Sequence, residues 1–125
     1  MVKPGQTSVQ VFGLVDDQAT RAALRFFKER RFEIHFVDIR RKPMAAGELR
    51  RFTDKLGPRA LLDRAGRAAR EAGLAYLSLT DAELAERLLA DQRLLRLPLV
   101  RFESRVSAGR DEAAWKAWLA SPKEG

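Results

Sequence analysis

The sequence predicts an α/β fold with a mixed four-stranded sheet, on three observations. Residues 9–39 read as strand, helix, strand in one short run, which implies a parallel pair with a right-handed crossover. Residues 97–106 read as two short strands around a tight turn. Between these pieces lie segments of helical periodicity, and a last helix follows them. The order is therefore β-α-β, a helical insert, then β-β-α.

Taken in order, residues 1–8 form a loose lead-in. The stretch VQVFGLVDDQATRAAL, residues 9–24, organises the rest. It holds a strand with Val9, Val11, Phe12 and Leu14, a turn opened by Gly13, and a helix starting near Asp16 or Asp17. A strand that turns directly into a helix sets the first free helical N–H groups at the end of the sheet. Such a spot attracts anions and favours the ionised form of an acid. Reactive cysteines use the same field, but here the residues are Asp16 and Asp17. In the helix over residues 18–30, Ala23, Leu24, Phe26 and Phe27 make a wide apolar face. Arg21, Arg25 and Lys28 fall on one other face at i, i+4 and i+7.

Residues 32–39, FEIHFVDI, form a compact apolar strand. Arg40-Arg41-Lys42-Pro43 breaks the pattern, because proline disfavours helix in the residue before it. Leu49, Phe52 and Leu56 mark a helix that stops at Gly57, with another helical turn over 58–62 and an arginine-rich stretch up to Gly73. Thr80-Asp81-Ala82-Glu83 has the form of a capping box and opens a helix carrying Leu84, Leu88 and Leu89. Residues 97–102 are a strand, and Phe102-Glu103-Ser104-Arg105-Val106 a tight hairpin into the next. Asp111 caps a last helix with Trp115, Trp118 and Leu119 on one side, and residues 121–125 are a tail. A βαβ unit followed by a ββα unit is the layout of the thioredoxin fold, here as one domain over residues 9–120.

Composition narrows the chemistry. Hydrophobic residues are 46% and charged residues 33%, as in a globular protein. No apolar run approaches the ~18 residues of a membrane helix, and the first residues lack the apolar centre of a signal peptide, so a cytoplasmic location is expected without membrane attachment. With no cysteine, disulfides, thiolate catalysis and thiolate metal ligands are excluded together. One histidine, His35, is too few for a structural zinc site, and no metal or cofactor is expected. Its place inside an apolar strand predicts a partly buried structural role. The net charge is +7, and residues 21–70 hold 15 Lys/Arg against 6 Asp/Glu. This admits two readings. One is an acidic partner: a protein surface, a small oxyanion or nucleic acid. The other is a soluble surface written in arginine, which supplies 18 of the 24 cations while asparagine is absent. Nucleic acid is the weaker partner, since interleaved aromatics are missing.

Over residues 9–119 the chain resembles the ArsC/Spx-type arsenate-reductase-like family of the thioredoxin superfamily. The resemblance is carried by the 9–24 stretch, Val37-Asp38-Ile39-Arg40-Arg41-Lys42-Pro43, Glu48-Leu49 with Leu56-Gly57, Arg59-Ala60-Leu61-Leu62, Arg64-x-Gly66, Leu95-Arg96-Leu97-Pro98-Leu99-Val100 and Asp111-Glu112-Ala113-Ala114-Trp115. The family's catalytic loop is Pro-x-Cys-x-x-Ser-Arg. Aligned without gaps, Val15 stands at its proline, Asp17 at its cysteine, Thr20 at its serine and Arg21 at its arginine. The arginine before the strand proline, which the resemblance gives an oxyanion-holding role, is Leu97; the central-segment arginine is kept as Arg59, and a third corresponds to Arg105 or Arg110.

The resemblance implies arsenate reduction through a thiolate that then exchanges with glutathione. A carboxylate cannot pass through a thiol–disulfide cycle, so this chain is expected to be redox-inactive, with no catalytic residue of that kind. Asp17 reads as an N-cap, against a carboxylate nucleophile that would need a metal and supporting groups. Gly13, Asp16, Thr20 and Pro98 shape the loop, and a cis peptide bond is expected before Pro98. Arg21, Arg59, Arg105 and Arg110 are candidates to frame a small oxyanion if they converge; Arg21 also fits a solvated helix face. Two functions stay open. One is a binding or regulatory module that contacts a protein partner, such as the RNA polymerase that the Spx branch implies, through its basic surface. The other is an oxyanion-binding enzyme or sensor without thiol chemistry. A monomer and a homodimer, the latter sharing Trp115 and Trp118 between core and interface, are both compatible.

Overall fold

The structure, a computed structural model, describes residues 7–120; the expected lead-in up to residue 6 and the tail over 121–125 lie outside the described residues. Strand β1 (Ser8–Gly13) leads through α1 (Gln18–Glu29) to β2 (Glu33–Asp38). The insert holds α2 (Ala46–Leu56), α3 (Arg67–Glu71) and α4 (Asp81–Ala90), with 3-10 turns at Pro58–Leu61, Leu74–Tyr76 and Gln92–Leu94. A hairpin of β3 (Leu99–Phe102) and β4 (Arg105–Ala108) leads into α5 (Glu112–Ala120). The sheet order is β2-β1-β3-β4. β1 runs parallel to β2 with Val11 opposite Phe36, and antiparallel to β3 with Val11 opposite Val100. The mixed four-stranded sheet that the sequence predicts is therefore present.

Strand alternation splits the core in two. Val9 and Val11, with Val100 and Phe102, face α1 and α5 and bury Ala23, Phe26, Phe27, Trp115 and Trp118. Phe12 and Leu99 face the insert, where Phe12 meets Phe52 edge-on at 5.9 Å. Trp115 is fully buried, and its indole N–H donates to the buried Ser107 hydroxyl at 2.9 Å. Trp118 is 9% exposed, so both tryptophans are part of the buried core.

Helix ends follow the predicted chemistry. Thr80 and Glu83 form the reciprocal capping box, each side chain accepting from the other's backbone N–H, at 3.1 and 2.8 Å. Asp111 Oδ1 accepts from Ala114 N–H at 3.1 Å. α2 ends at Gly57 with φ +81°, where a side chain would be strained.

Two expectations are corrected, for His35 and for the start of the third strand. His35 is not partly buried: its side chain is 60% exposed, and it lies 3.8 Å from the Glu33 carboxylate. β2 is an edge strand, and the insert covers the far face of the sheet only beyond Phe12. Gln10 and His35 therefore lie in an open depression with Arg101 and Glu103. Leu89 is exposed, unlike the buried Leu84 and Leu88. The third strand begins at Leu99, not at 97, since Pro98 has no N–H to give a ladder, and the Leu97–Pro98 bond before it is cis.

Candidate functional site

α1 begins where the 9–24 stretch predicts. Asp17 is its N-cap, with extended φ −89° and ψ 127°. Asp17 Oδ2 accepts from Thr20 N–H at 2.8 Å and from the Thr20 hydroxyl at 2.7 Å. The fully buried Thr20 hydroxyl oxygen accepts in turn from Leu14 N–H at 3.3 Å. Asp17 N–H closes the turn on Leu14 O at 3.1 Å. Gly13 is required beside this network: a Cβ there would lie 2.7 Å from Thr20 Cγ2 and nearer still to its hydroxyl oxygen. The carboxylate thus satisfies from within the N–H-rich end of the helix.

Asp16 turns outward and pairs with Arg40, which follows β2, at 3.4 Å. Leu14, from the loop before the cap, and Leu97, next to Pro98, line one groove, so the capped helix start and the cis-proline bend are neighbours.

The candidate arginines do not gather around Asp17. Arg59 donates to Leu79 O at 2.6 Å and pairs with Asp81 at 3.2 Å, at the start of α4. Arg110 is held by Glu112 at 2.7 Å, and that guanidinium holds the Glu112 carboxyl below the usual carboxylate range. Arg105 lies over the Phe102 ring at 5.2 Å and reaches Trp118 O at 3.5 Å. Arg21 is exposed and makes no ion pair among the described residues. Among the described residues no cluster of His, Asp or Glu is placed to hold a metal. No helix there is long and apolar enough to cross a membrane.

The groove itself is not foreseen from the sequence. It encloses about 480 Å³ and is floored by Leu14, Ile39, Pro43, Leu89 and Leu97. Gln92 braces its walls: its side-chain oxygen accepts from Met44 N–H at 2.8 Å, and its amide nitrogen donates to Met44 O at 2.9 Å. Arg93 stands on the rim in a two-pronged pair with Asp91, at 2.9 and 2.8 Å. The Arg93 hydrogen bonds lower the Asp91 carboxyl and raise the guanidinium. The signal for this site is spatial: Met44 and Gln92 are 48 positions apart.

The model of the ArsC family matches residues 16–118. No curated protein matches the chain. Among solved structures, a protein titled YFFB is 22% identical, with TM-score 0.80, covering 88% of this chain and 97% of its own. An arsenate reductase from Vibrio cholerae is 18% identical, with TM-score 0.78, over 90% of this chain and 98% of its own. An arsenate reductase (ArsC) related protein from Brucella melitensis is 22% identical, with TM-score 0.68, over 94% and 98%. At these identities the likeness speaks to the fold, which all three share with this chain.

Proposed function

The chain belongs to the ArsC family, and from that premise we propose that it is a redox-inactive member acting as a binding or regulatory module. Its partner on this reading is a protein with an acidic surface, such as a component of the transcription machinery, met by the basic surface of residues 21–70. The observation that carries the redox half is the state of residue 17. Where the family resemblance places a cysteine, a carboxylate caps α1, and the chain contains no other thiol to take over. Asp17 Oδ2 accepts both from Thr20 N–H and from the Thr20 hydroxyl. A thiol–disulfide relay needs a sulfur that forms and breaks an S–S bond, and a carboxylate has none.

The binding half is supported by the stripe of Arg21, Arg25 and Lys28. All three are exposed on the solvent side of α1, without ion pairs among the described residues. An oxyanion site built from Arg21, Arg59, Arg105 and Arg110 gains less support, because Arg59, Arg105 and Arg110 have partners on other elements.

Two measurements test the proposal. Incubation with arsenate and glutathione, with and without glutaredoxin, should yield no arsenite above a blank lacking the protein; turnover overturns redox inactivity. Affinity capture from the native host should retain a protein partner that is lost when Arg21, Arg25 and Lys28 are all changed to Glu. A partner indifferent to that reversal removes the basic helix face as the contact.

A further inference from the structure

We propose that the groove between the 14–17 loop and the C-terminal end of α4 docks an extended segment of a partner protein in which an apolar side chain stands next to an acidic one. The proposal deepens the reading as a binding module and rests on it.

The floor is apolar, and Leu89, one of its residues, is 36% exposed. Val15, between Leu14 of the floor and Asp16, is 56% exposed. Leu89 is one of the four large hydrophobic side chains left exposed on the described surface, and it lines the concavity, while Val15 follows the lining residue Leu14 in the chain. Hydrogen bonds brace the groove. Gln92 ties the residue 44 backbone to the end of α4, where its amide also reaches Leu89 O at 3.3 Å. A preformed wall lowers the ordering cost of association.

Charge selects the occupant. Arg40 and Arg93 line the rim, and Arg41 and Lys42 lie in the turn between the lining residues Arg40 and Pro43. Four cations thus stand against three acids, Asp16, Asp38 and Asp91, of which Asp38 accepts from Arg40 N–H at 2.9 Å. Arg41 and Lys42 are exposed and make no ion pair among the described residues. The Arg40–Asp16 pair is more than half exposed on both sides, so an incoming carboxylate can share it at little cost. Asp17 occupies the helix start, which leaves the rim cations, not the helix N–H groups, to recognise the acid. Leu97, where the family resemblance has an arginine, extends the apolar floor to the cis-proline bend.

The test pans a random dodecapeptide phage library against the full chain and titrates the enriched peptides into the ¹⁵N-labelled protein. Enriched sequences should set Asp or Glu beside Leu, Ile, Phe or Met, and amide shifts should concentrate at Leu14, Ile39, Leu89 and Leu97. Leu89→Asp should weaken binding about tenfold or more, as loss of a central apolar contact does. The double change Arg41→Glu with Lys42→Glu should weaken it and flatten its salt dependence. These positions are exposed, and far-UV circular dichroism should match the wild type.

No enrichment, sequences without acids, or binding indifferent to both variants overturns the proposal. Dimerisation that Leu89→Asp abolishes, with no peptide bound, assigns the groove to a second copy and overturns it too. A host protein captured through Arg21, Arg25 and Lys28 but indifferent to Leu89→Asp overturns the groove and leaves the binding-module reading intact.

Discussion

Asp17→Ala should destabilise the protein by more than the loss of an ordinary helix cap. The carboxylate satisfies two donors at once, Thr20 N–H at 2.8 Å and the Thr20 hydroxyl at 2.7 Å. Losing the first is the usual capping loss of about 1 kcal/mol. The second lies on a fully buried hydroxyl, and stranding such a donor costs about 1–3 kcal/mol when nothing replaces the acceptor. A threonine in the first turn of a helix can partly recover by turning to a backbone carbonyl, so the sum is set at about 2 kcal/mol. For a domain of this size that is a fall in Tm of about 6–10 °C. Urea unfolding followed by the fluorescence of the buried Trp115 and Trp118 reads it out. Asp17→Ser keeps a capping oxygen and should lose less. The network is tested by the cycle with Thr20→Val, which should cost less in the Asp17→Ala background by at least about 0.5 kcal/mol. A loss below about 0.5 kcal/mol in Asp17→Ala, or strict additivity in the cycle, would show that the Asp17–Thr20 pair is not what anchors α1.

Three further outcomes follow from the same geometry. Gly13→Ala should cost about 1–3 kcal/mol through the clash with Thr20, with Thr20→Ser recovering part of it because the methyl carbon at 2.7 Å is gone; equilibrium denaturation of both variants checks this. Ser107→Ala should cost about 1–3 kcal/mol by leaving the buried Trp115 N–H without an acceptor, and an unchanged urea midpoint would argue against that bond. Glu83, Asp91 and Glu112 have carboxyls held low by Thr80, Arg93 and Arg110, so their stabilisation is present above the ordinary carboxylate range and fades as pH falls through the lowered folded values. Denaturation midpoints should therefore decline on acidification from about pH 5, and Thr80→Ala should flatten part of that decline.

Local chemistry made much of the fold legible. The run from Val9 to Thr20 announces a strand, a tight turn and a cap, because each feature depends on residues within a few positions. The Thr80–Glu83 box and the Asp111 cap are equally local. Misplacements come where distant segments decide. The apolar run around His35 looks buried on both faces, yet whether a strand lies at an edge depends on which strand pairs beside it. Arg59 has an anion site in the family resemblance, but its guanidinium pairs with Asp81 and reaches Leu79 O, twenty positions along the chain. The groove depends on Met44 meeting Gln92, which no short-range pattern encodes. Ser107 gives no sequence signal either: a serine in a strand becomes a core residue only because Trp115 arrives from α5.

The two departures that the family resemblance implies, Asp17 and Leu97, make sense together. A thiolate at a helix start is stabilised by the free N–H groups and the helix dipole. A carboxylate can accept from the same N–H groups as a helix cap without any thiol chemistry. On that reading Asp17, bonded to Thr20 at the start of α1, takes the place an external oxyanion would occupy and leaves it no room. A cation at position 97 would then have no anion to hold, and a leucine there costs nothing in that respect. It gives instead a hydrophobic side chain beside Leu14 on the groove floor. This coupling has a direct consequence. Asp17→Ser should admit sulfate weakly at the start of α1, because it removes the occupying charge and keeps the cap, whereas Leu97→Arg alone should not, because Asp17 still fills the site. Calorimetric titration with sulfate separates the two, and binding by Leu97→Arg with Asp17 in place would break the argument that the carboxylate is what closed the site.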